Sequence, residues 1–249
     1  LLLNERFISR KKVKTTLNLI QTTSPSYLLM ASLDLARKKL VGEGEELYDR
    51  LLGEVRMARE AIGRIAGLQV MTPEYVDTRE GRNAFDETKL VIRVNGLGLT
   101  GFEVYDLLKA DYNIQVELAE TYVILAVVGP GDDRETLQLL VDALSDISRR
   151  FYGEKQEFEI PMSGFFEKPM TVVSPRNAFY SPKKWVHLDE AEGEVCGESI
   201  MIYPPGIPLI IPGEKITRNV IEHYRFYQQQ HCTVLNNDED PEVIMVLGE

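Results

Sequence analysis

Three hydroxyl side chains stand together in the stretch QTTSPSYLLMASLD, which runs from Gln21 to Asp34. Thr22, Thr23 and Ser24 precede a proline, and an apolar run with small residues follows. One interpretation is helix capping, in which Ser24 accepts from the first free N–H groups and proline occupies the first helical position. The other is phosphate binding, because hydroxyls, backbone N–H groups and the helix dipole together attract anions.

A carboxylate in the stretch NIQVELAE is a second candidate for chemistry. Strand alternation predicts two faces, one with Ile114, Val116 and Leu118 and the other with Gln115, Glu117 and Ala119. Glutamate is most often exposed, so Glu117 could simply lie on the surface. If it lines a pocket instead, its charge suits a cationic ligand group.

Other motifs point to structure rather than chemistry. The stretch GLGLTG, at positions 96–101, resembles a phosphate loop but lacks the Lys-Ser/Thr pair of a P-loop, so it predicts a tight strand-to-helix turn. Cys196 and Cys232 show no metal-like spacing with each other or with the three histidines. They indicate a reduced, cytosolic protein, although a disulfide between them stays open.

Composition narrows the class of protein. The chain has 249 residues, of which 44% are hydrophobic and 27% charged, which is typical of one large or two medium globular domains. The net charge of −11 argues against bulk attraction to nucleic acid or to anionic membranes. No apolar run approaches the roughly 20 residues that cross a bilayer.

The order of elements predicts an α/β layer. Residues 1–3 are expected to end a strand, and residues 25–67 to be helical with a break at VGEGEE. Short strands, a helix after GLGLTG, two further strands and an amphipathic helix follow. The chain then becomes proline-rich and irregular, with a domain boundary near 155. YPPGIP and PGE predict a strand, a rigid turn, a short strand and another turn before a last helix.

Several stretches resemble the bacterial Orn/Lys/Arg decarboxylases, which are pyridoxal-phosphate enzymes of fold type I. They are QTTSPSYLLMASLD, NIQVELAETYVILAVVG and, most specifically, YPPGIPLIIPGEKIT, with SPRNAFYSP in the expected order. The resemblance covers nearly all of the chain and implies an α/β (α+β) fold. Residues 1–67 would end the large cofactor domain and include a long connecting helix, 68–154 would form a small α/β domain, and 155–249 the C-terminal domain.

The resemblance implies a cytoplasmic homodimer, or a higher oligomer of dimers, that converts a basic amino acid to agmatine or a diamine for polyamine metabolism. The family's Schiff-base lysine stands in a Ser-x-His-Lys motif, which this sequence does not contain. We therefore expect that lysine to lie upstream, in the N-terminal part of the same enzyme. This segment alone should be inactive, with no catalytic residue of its own and no metal site.

Site roles follow from the resemblance residue by residue. Thr22, Thr23 and Ser24 match the element that reaches the cofactor phosphate of the neighbouring subunit, and Glu117 matches the glutamate that faces the distal cationic end of the substrate. The block 203–208 is implied to be structural, a rigid support for a lid domain near the partner's active site.

Two other function classes stay open. The chain could be a non-catalytic regulatory or scaffold partner of a full-length decarboxylase, or part of a fold type I aminotransferase, against which the YPPGIP block argues. Arginine, lysine and ornithine all carry a distal cation, so the sequence does not choose among them.

Overall fold

The structure is a computed structural model that describes residues 7–76, 85–154, 169–203, 206–230, 233–238 and 240–248. The expected strand end at 1–3 and the two adjacent prolines of the YPPGIP block lie outside these ranges. The chain divides into two compact units, Leu1–Arg50 and Leu51–Glu249, which are described separately. The mixture of helices and sheets confirms the α/β fold class.

In the described part of the first unit, the chain forms two helices. Helix α1 spans Arg10–Ile20, and helix α2 spans Tyr27–Gly63 and continues across the division between the units. The predicted break at VGEGEE is wrong, because α2 runs through Gly42 and Gly44. A glycine within a helix costs only about 1 kcal/mol relative to alanine, which the strong helix formers around it offset.

A four-stranded antiparallel sheet begins the second unit, with the order β1-β2-β4-β3. Its strands are β1 Gln69–Val70, β2 Lys89–Arg93, β3 Leu118–Ala119 and β4 Val123–Val127. The short helix α3, Pro73–Val76, lies between β1 and β2 in the chain, and helix α4, Gly101–Tyr112, precedes β3. Helix α5, Arg134–Phe151, follows β4, so the strand and helix order agrees with the sequence-based prediction.

One face of this sheet is packed and the other is partly open. Leu90, Ile92, Ile124 and Ala126 are buried in a cluster with α4, α5 and the part of α2 from Leu51 onward. The opposite face carries residues that are exposed or only half-buried, namely Gln69, Lys89, Val91, Arg93, Leu118, Val123, Leu125 and Val127. We call these residues the open face. Because this face is only partly covered by other described elements, a functional group on it is accessible to a ligand.

The turn before α4 holds the β3–β4 connection close to the helix. Thr100 caps α4 through a capping box with Glu103, and the Gly101 N–H donates to the Thr121 carbonyl at 3.1 Å. A Cβ at Gly101 would lie 2.2 Å from the Glu120 carbonyl oxygen. GLGLTG is therefore the strand-to-helix turn that the sequence predicts, and its last glycine is required by a close backbone approach.

The remaining elements follow in the chain, and most of them contribute to a second buried cluster, the second core. They are helix α6 Pro175–Tyr180, strands β5 Lys183–His187, β6 Ile200–Tyr203 and β7 Ile207–Ile210, helix α7 Arg218–Gln228, and strands β8 Thr233–Leu235 and β9 Val243–Leu247. They pair as β5-β9 and β7-β6-β8. The expectation of irregular chain is wrong at α6, which Ser174 caps and Pro175 begins. The two predicted strands and the final helix are confirmed, whereas the predicted rigid turn falls on the two prolines outside the described residues.

A buried carboxylate joins parts of this second core. Glu198 is only 2% exposed, and its two oxygens accept from the Asn237 N–H at 2.7 Å and the Met245 N–H at 2.6 Å. Two charge-assisted bonds compensate part of the lost hydration. The Cys196 thiol donates to the Glu198 carbonyl, and burial raises the pKa of Cys196 to about 11. Both groups therefore serve structure.

Candidate functional site

The hydroxyl segment connects α1 to α2 with its side chains in solvent. Thr22, Thr23 and Ser24 are exposed, and none of their hydroxyls makes a hydrogen bond with another described residue. The cap of α2 is Ser26, whose hydroxyl accepts from the Leu29 N–H at 3.5 Å.

The expectation that Ser24 caps the helix and that proline takes its first position is therefore wrong. The helix begins at Tyr27, two residues after Pro25. Proline disfavours helical backbone at the residue before it, which keeps Ser24 outside the helix. Because Ser26 meets the capping need, Thr22, Thr23 and Ser24 are left as donors close to a helix N-terminus. This donor set fits a phosphate group.

A bulge sets the direction of Glu117. Leu118 lies opposite Leu125 in the β3–β4 ladder, and the Glu117 N–H also donates to the Leu125 carbonyl at 2.9 Å. Two successive residues thus oppose a single one, which is the pattern of a β-bulge, and a bulge re-aims side chains.

The bulge makes the predicted alternation wrong at this point. Ala119 is fully buried whereas Glu117 is exposed, so the two do not share a face as the sequence predicts. Glu117 instead lies beside Leu118 at the edge of the open face. Its predicted role toward a cation stays a prediction, and its exposure leaves it accessible to a ligand.

A small cavity of about 170 Å³ lies on the same face. Val91 and Val123 contribute from the sheet, Met71 and Tyr75 from the chain around α3, and Arg93 provides a charged rim. Val91 is opposite Leu125, which in turn is opposite Leu118. The cavity and the bulge thus lie on one face of the sheet with β4 between them, and the cavity has the largely apolar lining that small-ligand sites share.

Glu120 is a second carboxylate of this face, and sequence reasoning missed it. Its N–H donates to the Val123 carbonyl at 2.8 Å, so the residue continues the register of β3. Val123 is opposite Arg93, which places Glu120 on the side of the open face. Burial raises the pKa of Glu120. Alternation counted from Leu118 would have found it, but only once the bulge was known.

Two arginines of α2 hold the chain that borders the cavity. Arg59 is 7% exposed, and its guanidinium donates to the carbonyls of Met71 at 3.2 Å, Glu87 at 2.8 Å and Lys89 at 3.0 Å. Burial lowers the pKa of Arg59. Arg56 forms a fork with the Glu87 carboxylate, with both contacts at 2.7 Å. These bonds fix the ends of the β1–β2 connection.

The hydroxyl segment and the open face belong to different units, and each is a candidate site by itself. Among the described residues, no group of three His, Cys, Asp or Glu side chains is arranged to hold a metal ion. In the same part of the chain, no helix combines the length and the apolar character needed to cross a membrane.

The sequence of the chain matches one class of protein. A family model described as "Orn/Lys/Arg decarboxylase, major domain" matches residues 2–136. A second model, "Orn/Lys/Arg decarboxylase, C-terminal domain", matches residues 161–233. The chain belongs to the Orn/Lys/Arg decarboxylase family, and the resemblance found in the sequence is confirmed.

Curated relatives agree with this assignment. The chain is 38% identical over 224 residues to an arginine decarboxylase of Bacillus subtilis, a match that covers 89% of this chain and 45% of the relative. It is 24% identical over 269 residues to the inducible lysine decarboxylase of Escherichia coli, with 79% of this chain and 38% of that relative covered.

Among solved structures, a lysine decarboxylase of Francisella novicida aligns with a TM-score of 0.74 at 18% identity, over 99% of this chain and 46% of the other. The constitutive lysine decarboxylase of E. coli aligns with a TM-score of 0.72 at 19% identity, over 97% and 46%. These alignments support the fold. The chain spans less than half the length of the relatives described here.

Proposed function

We propose that this chain is the C-terminal part of a cytoplasmic, pyridoxal-phosphate-dependent enzyme that decarboxylates arginine, lysine or ornithine to agmatine or a diamine. The proposal rests on family membership and on relatives named arginine decarboxylase and lysine decarboxylase. One structural observation carries it. A bulge leaves Glu117 exposed at the edge of the open face, and the same face carries a small cavity with a largely apolar lining.

The hydroxyl segment fits the cofactor's phosphate. Thr22, Thr23 and Ser24 would donate to phosphate oxygens of a cofactor bound in the neighbouring subunit of a homodimer, and the N-terminus of α2 would favour the negative charge. Pyridoxal phosphate, when bound, supplies an electron sink for the charge left at Cα when carbon dioxide departs. Its reactive lysine would come from the N-terminal part of the same enzyme.

Glu117 would hold the far end of the substrate. A carboxylate that pairs with an ammonium or a guanidinium fixes where the other end of the amino acid lies, and such positioning lowers the barrier of the chemical step. The apolar residues of the open face, Val91, Leu118 and Leu125, would pack against the methylene chain and exclude water. Arginine, lysine and ornithine share these features.

The test uses the full-length enzyme and the variant Glu117→Gln, which keeps the shape of the side chain and removes its charge. Wild-type enzyme should release carbon dioxide from at least one basic amino acid, and only with pyridoxal phosphate present. For that substrate, the variant should lose about ten- to a hundredfold in kcat/KM, because one charge-assisted contact supplies about 1.5–3 kcal/mol.

Citrulline, the uncharged isostere of arginine, is the control substrate where arginine is decarboxylated. In the Glu117→Gln variant, kcat/KM for citrulline should fall much less than kcat/KM for arginine. Cofactor affinity and melting temperature should stay near those of the wild type. Equal losses of kcat/KM for charged and uncharged substrates, or no loss for either, would show that Glu117 is an exposed surface residue that does not bind the substrate's cation.

A further inference from the structure

We infer that Glu120 is a second substrate-recognition carboxylate, which pairs with a guanidinium and gives the enzyme its preference for arginine over lysine and ornithine. This inference rests on the proposed function, and it adds the substrate class. It follows from the register of the β3–β4 hairpin, from the surroundings of the Glu120 side chain, and from the difference between guanidinium and ammonium groups.

The register places both carboxylates at one end of the open face. Glu117 stands in the bulge, Leu118 follows on the open face, and Glu120 closes the hairpin opposite Val123. The connection is held from behind, because the carbonyls of Thr121 and Tyr122 accept from the N–H groups of Gly101 and Val94. Glu117 and Glu120 thus flank Leu118 on a short, anchored hairpin, with Val123 of the cavity lining next to Glu120.

The Glu120 carboxylate is half-buried without a cation to compensate it. Within the described ranges, it takes part in no ion pair or side-chain hydrogen bond. Arg93 is in the same row of the sheet, but β4 separates them, so their backbones are about 10 Å apart at 4.7–4.9 Å per strand. The Arg93 guanidinium lies over the Tyr122 ring and donates to Asn95. A partly desolvated carboxylate of this kind gains most from a cation that arrives with the ligand.

The chemistry of the two possible cations favours guanidinium. A guanidinium presents five N–H donors in a planar fork, so it can bind a carboxylate at each of two edges. An ammonium is a compact point charge that one carboxylate can satisfy. With Glu117 alone, the site would accept either cation. Because Glu117 and Glu120 are three residues apart, a second bond favours the broader, planar guanidinium, whose donors are spread over three nitrogens, over an ammonium, whose donors share one nitrogen.

The test compares substrates in the full-length holoenzyme carrying Glu120→Gln. We expect kcat/KM for arginine to fall about tenfold or more, and the values for lysine, ornithine and citrulline to change less than about threefold. Calorimetric titration with agmatine and putrescine gives a second readout without turnover. Agmatine affinity should weaken about tenfold, and putrescine affinity should change little.

Glu135→Gln is the matched control, because Glu135 is an exposed carboxylate at the start of α5 in the same domain. It should change none of these values, and the melting temperatures of both variants verify that the fold is intact. Glu117→Gln, assayed in parallel, should lower kcat/KM for every cationic substrate and not for arginine alone.

The outcomes separate the inference from the proposed function. If wild-type enzyme decarboxylates no basic amino acid, the proposed function fails and this inference fails with it. If Glu117→Gln shows its charge-specific loss but Glu120→Gln affects arginine and citrulline equally, or affects neither, only the inference is overturned. An equal loss for arginine and lysine would also overturn it, since Glu120 would then be a general cation partner.

Discussion

Gly101 is the position at which the smallest substitution should have the largest effect on the proposed substrate site. In Gly101→Ala, the new Cβ would lie 2.2 Å from the Glu120 carbonyl oxygen and 2.3 Å from that of Val123. Both are backbone atoms, so no side chain can rotate away to make room. The hairpin that carries Glu117 and Glu120 would have to move away from α4.

The size of the effect follows from what that movement breaks. Overpacking of this kind costs about 1–3 kcal/mol. Retreat of the hairpin would also lengthen two backbone hydrogen bonds, Gly101 to Thr121 at 3.1 Å and Val94 to Tyr122 at 2.9 Å. At about 1 kcal/mol for each bond, the free energy of unfolding should fall by about 3–5 kcal/mol in total.

The assay is urea or thermal unfolding of Gly101→Ala beside Gly53→Ala, the same chemical change in the interior of α2. A Cβ at Gly53 meets nothing within 4 Å, so that variant should gain about 0.5–1 kcal/mol from the helix propensity of alanine. If Gly101→Ala unfolds within 1 kcal/mol of wild type, the close approach between α4 and the hairpin does not exist as described.

Two further predictions concern the arginine contacts and the chain by itself. Arg59→Met should lower the free energy of unfolding by about 3 kcal/mol or more, because it leaves carbonyls of Met71, Glu87 and Lys89 without their donor. Urea unfolding measures this difference. The control is Arg64→Met at an exposed position, which should lower the free energy of unfolding by less than about 1 kcal/mol. The 249-residue chain alone, supplied with pyridoxal phosphate, should release no carbon dioxide from basic amino acids, because it contains no Ser-x-His-Lys motif. Measurable turnover would show that the chain carries a reactive lysine of its own and would contradict this expectation.

Much of the fold follows from periodicity in the sequence. The apolar stripe of α5 and the alternation in β2 and β4 are strong signals, because each buried position repeats at the period of its element. Predictions from local sequence signals, such as helix breaks and helix caps, failed where two local conformations were close in free energy. Gly42 and Gly44 suggest a break, but helix formation continues through them, and Ser26 outcompetes Ser24 as the cap of α2.

The site was less predictable than the fold for a physical reason. The face on which Glu117 lies depends on a bulge, and a bulge is set by pairing with β4, which local alternation does not contain. Alternation counted from Val116 also puts Glu120 on the wrong face, because the bulge lies between them, so one missed feature concealed a second carboxylate. The contacts of Arg59 join residues 12 to 30 positions away, and no short motif indicates them.

The proposed enzyme works only if the hydroxyl segment serves the cofactor of a neighbouring subunit, and subunit mixing tests this most directly. Two inactive full-length variants are needed, one with Thr22, Thr23 and Ser24 replaced by Val, Val and Ala, and one without the cofactor-anchoring lysine. Ser26→Ala is the control for the first, because its hydroxyl caps α2 and should not contribute to the cofactor site.

After unfolding and joint refolding, half of the dimers should be mixed. Each mixed dimer should hold one intact site, so decarboxylation should recover to about a quarter of the wild-type rate. The Ser26→Ala control, refolded together with the lysine variant in the same way, should recover at least the same fraction of the wild-type decarboxylation rate. If the mixed sample stays as inactive as its two parents, the hydroxyls do not act across a subunit interface, and the account of this chain as half of a shared active site is contradicted.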